Sequence, residues 1–384
     1  MMRRMDVPDE KQQTARRIAA FRGATRVLAR GPHTATMGEH WARLTDAAGT
    51  VADLSGTVDL YGDGVVADLE ERVAGLLGKE AAAFFPTGTM AQQVALRCWA
   101  GRTGNSTVAL HPLAHPEVHE REALSTVSGL RAVHPTTAAR QFTADEVHGM
   151  DEPFGTLMVE LPLRDAGFVL PTWEELQEVC EEARARDAVV HFDGARLWEC
   201  TTHFGRPLDE IADLADSVYV SFYKSLGGLS GAALAGPRSF IDEARAWRHR
   251  YGGQVFHQFP QAIAALVGLE RELPRLPEYV AHARVVARAL REGFAEAGLA
   301  WARVHPEEPH THAFRVLLPY DTDVLTEAAV SQAEETKTAL FGRWWPVSGA
   351  PGLSVTEVTV AAPGLEWSAD DVRAAVADFV RRLP

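Results

Sequence analysis

The chain has 384 residues, 46% of them hydrophobic and 23% charged, enough for two domains and a large buried core. With 38 Lys and Arg against 52 Asp and Glu, its net charge of −14 argues against general nucleic-acid or anionic-membrane binding, which needs a basic footprint. Its three cysteines, Cys98, Cys180 and Cys200, lack CxxC spacing and fit a reducing cytoplasm better than a disulfide framework, and no run approaches the ~18 apolar residues of a membrane span.

In chain order, residues 11–30 predict a helix with a basic face. The basic N-terminus before it has no apolar h-region, so no secretory signal is expected. Residues 31–65 are rich in Gly, Thr and Asp and resist assignment. From residue 66 helix and strand alternate. "VADLEERVAGLLG" has apolar residues at helical spacing and stops at Gly78; "AAAFF" follows as a buried strand, and "TMAQQVALRCWA" as a helix. "STVAL" and "TLMVEL" are strands. "TWEELQEVCEEARARD" is a helix that opens on a Thr–Glu capping box, and "AVVHFD", "SVYVSF" and "GAALAG" are strands. This order predicts an α/β fold with a mostly parallel sheet covered by helices on both faces. After Pro274 and Pro277 the pattern changes to a long helix, the strand "HAFRVLLP", a helix, the strand "SVTEVTVAA" and a last helix. The expected organisation is an N-terminal segment (1–57), a large α/β domain (58–273) and a small C-terminal α+β domain (274–384).

Ligands of parallel α/β sheets bind beyond the carboxyl ends of the strands. "AVVHFDGAR" puts Asp193 at such an end, and "SVYVSFYK" brings Lys224 just past the next. An acid and a lysine there make either an ion pair or a grip on a cofactor. In "FFPTGTMAQQ" a Thr-Gly-Thr turn opens a helix; it is either a plain cap or a phosphate site, with Gly88 permitting approach and Thr87 and Thr89 donating hydroxyls. Taken together, a lysine for an aldehyde, an acid for a pyridine nitrogen and an anion site are what pyridoxal phosphate requires.

With these residues in hand, the sequence resembles the threonine aldolase / β-eliminating lyase family of fold-type I pyridoxal-phosphate enzymes. The matching pieces are "YGDGVVADLEERVAGLLGKEAAAFFPTGTMAQQ", "GFVLPTWEEL", "VVHFDGARLWEC" and "SFYKSLGGLSGAALAGP", in the family's order and spacing; the likeness covers about residues 58–270 and is weak beyond them. The resemblance implies that Lys224 forms the Schiff base with the cofactor and Asp193 pairs with the pyridine nitrogen. It places Arg196 near the cofactor's 3-hydroxyl and the substrate carboxylate, and Gly88 and Thr89 on the phosphate. Ser221 either assists there or is an ordinary strand serine. His115 matches the histidine that stacks on the ring, with Glu120 five residues on. His111, His115 and His119 share a four-residue spacing, but Pro112 and Pro116 should break any helix that would align them for a metal, so none is expected.

Four places depart from the family, one being its N-terminal Ser/Thr substrate contact, which is not evident in residues 36–56. Its "E-N-T-H-N-G" segment, the source of a second histidine, matches "VELPLRDAGFVLP", where Leu163 or Arg164 stands instead. Its C-terminal carboxylate arginine is missing from "GLSVTEVTV"; Arg164 either replaces it or is a surface arginine beside Asp165. In "RYGGQVFHQFPQ" the cations that serve a phosphate in the dimer match Arg250 and His257. The resemblance thus implies a pyridoxal-phosphate lyase that cleaves a β-hydroxy amino acid to glycine and an aldehyde, with His115 as the first candidate base. β-Elimination, racemisation or transaldol chemistry on another amino acid is the alternative; where a proton leaves the α-carbon, as in β-elimination or racemisation, Lys224 is then the base. It also implies a homodimer or homotetramer with shared sites. The role of Tyr223 stays open.

Overall fold

The computed structural model describes residues 10–29 and 35–384. Residues 1–9 and 30–34 lie outside the described residues, and with them the basic start of the chain and the last residue of the anticipated 11–30 helix. Two compact units emerge. One is Ala42–Pro277; the other joins the described residues up to Trp41 to Glu278–Pro384.

In the Ala42–Pro277 unit, seven strands form one sheet: β1 (Ala81–Phe85), β2 (Thr107–Ala109), β3 (Arg131–Val133), β4 (Thr156–Glu160), β5 (Val189–Gly194), β6 (Ser217–Ser221) and β7 (Ala232–Gly236). Their order is β1-β7-β6-β5-β4-β2-β3. The fold is α/β and mostly parallel, as expected; β7 alone runs antiparallel, to both of its neighbours. Because β7 is reversed against both β1 and β6, β1 points the same way as β6. The carboxyl ends of β1, β2, β4, β5 and β6 therefore share one edge. Strands such as β1 and β6 are buried at every position, which explains why they read as continuous apolar runs instead of alternating ones. The strand β3 is short and half-exposed, and left no apolar run to detect.

Helices α1 (Val65–Leu76), α2 (Gly88–Thr103), α3 (His115–His119), α4 (Arg238–Arg250) and α5 (Phe259–Arg271) position the site. Gly78 takes φ +61° just beyond α1, as a chain stop requires. Glu70 of α1 is buried and fully engaged. It accepts from Phe84 N at 2.7 Å, pairs with Arg245 at 2.7 Å and with the buried Arg248 at 3.2 Å, so one carboxylate ties α1, β1 and α4 together. The Thr172–Glu175 capping box is present at the start of Trp173–Ala185.

The other unit has a four-stranded antiparallel sheet of β8 (Arg303–His305), β9 (Ala313–Leu318), β10 (Trp345–Pro346) and β11 (Ser354–Thr359), in the order β10-β11-β9-β8. Its core includes Phe294, Phe314, Phe341, Trp344 and Phe379. The sequence sets residues 1–57 apart as a segment. In the structure the first helix, Glu10–Arg22, packs Ala20 and Phe21 against Val330 and Ala333 of this unit, and Arg26–Val27 pairs in parallel with Thr338–Ala339. That helix ends at Arg22, before Gly23, short of the expected 11–30 span.

Candidate active site

The carboxyl ends of three adjacent parallel strands carry the central residues. Glu160, Asp193 and Tyr219 sit side by side in register on β4, β5 and β6, and the loop after β6 delivers Lys224. Asp193 is 1% exposed, and its Oδ1 accepts from Ala195 N at 3.1 Å. Burial raises its carboxyl above the usual range, against the opposing pull of Lys224 and His115. Burial likewise lowers the Lys224 ammonium, with Asp193 the leading opposing charge. A lysine so placed carries a larger share of neutral, nucleophilic amine near pH 7. The two groups interact through space without a direct ion pair among the described residues.

The glycines after Lys224 make the return possible. At Gly231, φ is +97° and a Cβ would lie 2.4 Å from the Phe84 ring. Only a residue without a side chain fits this start of β7. Tyr223 is 44% exposed, with Lys224 Nζ 6.0 Å from its ring centroid.

At the same edge, Thr87 caps α2 by accepting from Met90 N at 3.2 Å, which leaves the Gly88 and Thr89 amides at the helix start. Thr89 is exposed and Gly88 buried. Gly88 has a second reason to be glycine: a Cβ there would lie 2.1 Å from the Tyr219 hydroxyl, which fills that space.

His115 opens α3. Its Nδ1 is 3.2 Å from Glu120 Oε1, and Glu120 is held in turn by Gln93 Nε2 at 3.2 Å. Burial disfavours the charged ring, but the Glu120 hydrogen bond and the Asp193 charge outweigh it and raise the His115 pKa. Pro116 lies in the first turn of α3 and does not break it, contrary to the sequence argument, because the first amides of a helix need no intrahelical partner. His115 and His119 therefore come together, ring centroids 5.2 Å apart. His111 turns elsewhere, with Nε2 2.8 Å from Ala138 O and Nδ1 accepting from Leu113 N at 2.9 Å. Among the described residues no cluster of three or more His, Cys, Asp or Glu is arranged to hold a metal.

Arg164 meets this group. Its Nη1 lies 3.2 Å from His119 Nε2, which is 2.6 Å from Asp165 Oδ2. Arg196 is mostly buried; Nη1 donates to Glu199 Oε1 at 3.2 Å, Ser225 Oγ donates to the same oxygen at 3.0 Å, and the guanidinium lies 5.1 Å from the Phe168 ring centroid. Ser221 ends β6 with its Oγ buried and unpartnered.

Arg250 and His257 stand apart. Arg250 is exposed and stacks on Trp247 at 4.4 Å; His257 Nδ1 donates to Asp59 O at 2.5 Å, next to Phe256. Neither hydrogen-bonds nor pairs with Lys224, Asp193 or His115 among the described residues.

Glu160, Glu199 and Tyr219 escaped the sequence reading, and His119 was noticed there only for a metal spacing that was set aside. The strand-end rule that picks Asp193 applies equally to Glu160 in "TLMVEL". His119 carries the i+4 signal that the prolines seemed to cancel. Tyr219 and Glu199 had no local signal.

Comparison with known proteins identifies the family to which the chain is similar. The sequence model of the family described as β-eliminating lyase matches residues 43–316. Low-specificity L-threonine aldolase 1 of Arabidopsis thaliana is 31% identical over 237 residues, which is 58% of this chain and 65% of that protein. The crystal structure of a putative L-allo-threonine aldolase from Listeria monocytogenes superposes with a TM-score of 0.86 at 33% identity, covering 97% of this chain and 100% of that one. A putative aromatic amino acid β-eliminating lyase/threonine aldolase from Exiguobacterium has the same TM-score, 0.86, and identity, 33%, with 96% and 100% covered.

Proposed function

The chain belongs to the β-eliminating lyase family, and on that premise we propose that it is a pyridoxal-phosphate-dependent lyase cleaving a threonine-like β-hydroxy amino acid to glycine and an aldehyde. The observation that carries this is the buried, pKa-lowered Lys224 beside buried Asp193, on the sheet edge where α2 also begins. The residues fit the cofactor. Arg196 Nε and Ser221 Oγ are buried there without partners, and a bound polar group would offset their desolvation.

When bound, pyridoxal phosphate supplies an aldehyde for an amine and a protonated ring that stabilises negative charge at an amino acid's α-carbon. Lys224 would hold the cofactor through its amine, which burial keeps partly neutral and so able to meet an aldehyde. Asp193 would keep the ring nitrogen protonated, and the Thr87–Thr89 turn with Ser221 would take the phosphate. Arg196 and Arg164 are the cations for the 3-hydroxyl and the substrate carboxylate. His115, with Nδ1 turned to Glu120, has Nε2 left as a base. It takes the β-hydroxyl proton; the Cα–Cβ bond breaks as the aldehyde C=O forms, and the electron pair stays on Cα, which is reprotonated to give glycine.

The Arg164–His119–Asp165 grouping, where the sequence has no second histidine at Leu163 or Arg164, favours a second reading on the same cofactor: transaldol transfer, or β-elimination or racemisation with Lys224 as the base for the α-proton. The reading extends to a homo-oligomer in the cytoplasm. Val58, Leu60, Tyr61 and Phe256 expose apolar side chains around the His257 segment, where Arg250 and His257 would serve a neighbouring protomer's phosphate, and all three cysteines are free and buried.

The test is a spectral and product screen with β-hydroxy amino acids. Purified protein with added cofactor should show the long-wavelength absorbance of a lysine-bound cofactor and release glycine and aldehyde; Lys224→Ala should lose both. Wild-type protein that never acquires the absorbance would refute the reading, and absorbance without aldehyde release would favour the second one.

A further inference from the structure

Two separate segments of the candidate site hang from one carboxylate. Glu160 ends β4, is 7% exposed, and shares a register position with Asp193, so both side chains leave the same face of the sheet. Its Oε2 accepts from His115 N at 2.6 Å, and its Oε1 accepts from Arg164 N at 3.1 Å. The first amide opens the helix that carries His115 and His119. The second lies in the loop that carries Arg164 and Asp165. The tips of these segments then meet through the His119 contacts to Asp165 and Arg164. Burying a second acid beside Asp193 is costly, and burial and the Asp193 charge push the Glu160 carboxyl up to about 7. A carboxylate kept there, with one oxygen on each of two backbone amides, fixes both segments relative to the Asp193–Lys224 pair.

We propose that Glu160 is a positioning residue, a two-oxygen clamp that sets the His115 ring and the Arg164 guanidinium over the lysine–aspartate pair. It touches neither substrate nor cofactor. It works through the backbone of the residues that do, and its effect on turnover rests on the lyase reading above. Glu160→Gln tests it, since the shape is kept while one acceptor oxygen becomes an NH2 donor that faces an amide N–H. Amide hydrogen exchange, in cofactor-free and loaded protein, should speed up at least tenfold at His115 or Arg164, while Leu110, bonded to Val133 O, stays protected. Cofactor affinity should change less than threefold, whereas kcat falls about 10- to 100-fold, the scale expected for a small misplacement of reacting groups. If the Gln variant folds poorly, Glu160→Asp, which shortens the reach by one methylene, is measured in its place with the same expectation. Unchanged exchange at both amides overturns the proposal. So does loosened exchange with unchanged kcat, which would make Glu160 merely structural. If the wild type cleaves no amino acid, the lyase reading fails by itself; the clamp is then decided by exchange and by the circular dichroism of the bound cofactor, which it should alter and a merely structural role should not.

Discussion

Glu120 sets the charge of His115. Burial alone would leave that ring neutral at lower pH; the Glu120 hydrogen bond reverses the shift. A base must be neutral to accept the hydroxyl proton, so the acid limb of kcat/KM should lie above the ordinary histidine pKa of about 6.5. Glu120→Gln keeps an acceptor but removes the charge. The limb should move to lower pH, as a pH–rate profile of the two proteins would show, and a limb that stays put would place the base elsewhere. Gly88 gives a second test at this scale. Gly88→Ala drives a methyl into the Tyr219 hydroxyl and should cost about 1–3 kcal/mol in urea denaturation. Adding Tyr219→Phe should restore part of that, because the clashing oxygen is then gone.

Single contacts also bind elements to one another. Glu70 joins α1, β1 and α4 through Phe84 N, Arg245 and Arg248. Glu70→Ala would leave the Arg248 guanidinium buried without its carboxylate and strip Phe84 N of its acceptor. A loss of about 3–5 kcal/mol is expected from the denaturant midpoint. β1 leads directly into the Thr87–Thr89 turn, so this loss should also weaken cofactor affinity, measured by titration of the cofactor-free protein. Helix α3 shows how an element-level rule can mislead. Pro116 sits in the first turn of the helix that it was expected to break, and His119 comes to lie beside His115.

For the whole molecule, the exposed apolar group around the Asp59–His257 contact argues for assembly. Tyr61 and Phe256 pack edge to face at 5.2 Å, yet both remain 52% exposed. Phe256→Asp should shift the mass measured by light scattering toward the monomer. If the site is shared, activity should fall with it; a fully active monomer would show that one protomer holds a complete site.

Much of the site was legible in the sequence, because local chain chemistry writes it. Asp193 lies near the end of one buried strand and Lys224 follows another, both announced by apolar runs, and the Thr87–Thr89 turn and the Thr172 capping box are set by neighbours a few residues away. The α/β class follows from the alternation of helix and strand, and the family from motifs at fixed spacing. What only the tertiary structure decided depends on residues far apart in the chain. The reversed direction of β7, which brings the β1 turn to the same edge as Asp193, comes from sheet pairing. The Tyr219 hydroxyl filling the Gly88 space and the Glu160 contact with the His115 amide come from burial and packing. Side-chain contacts and desolvation are properties of the folded interior, and no local pattern in the sequence records them.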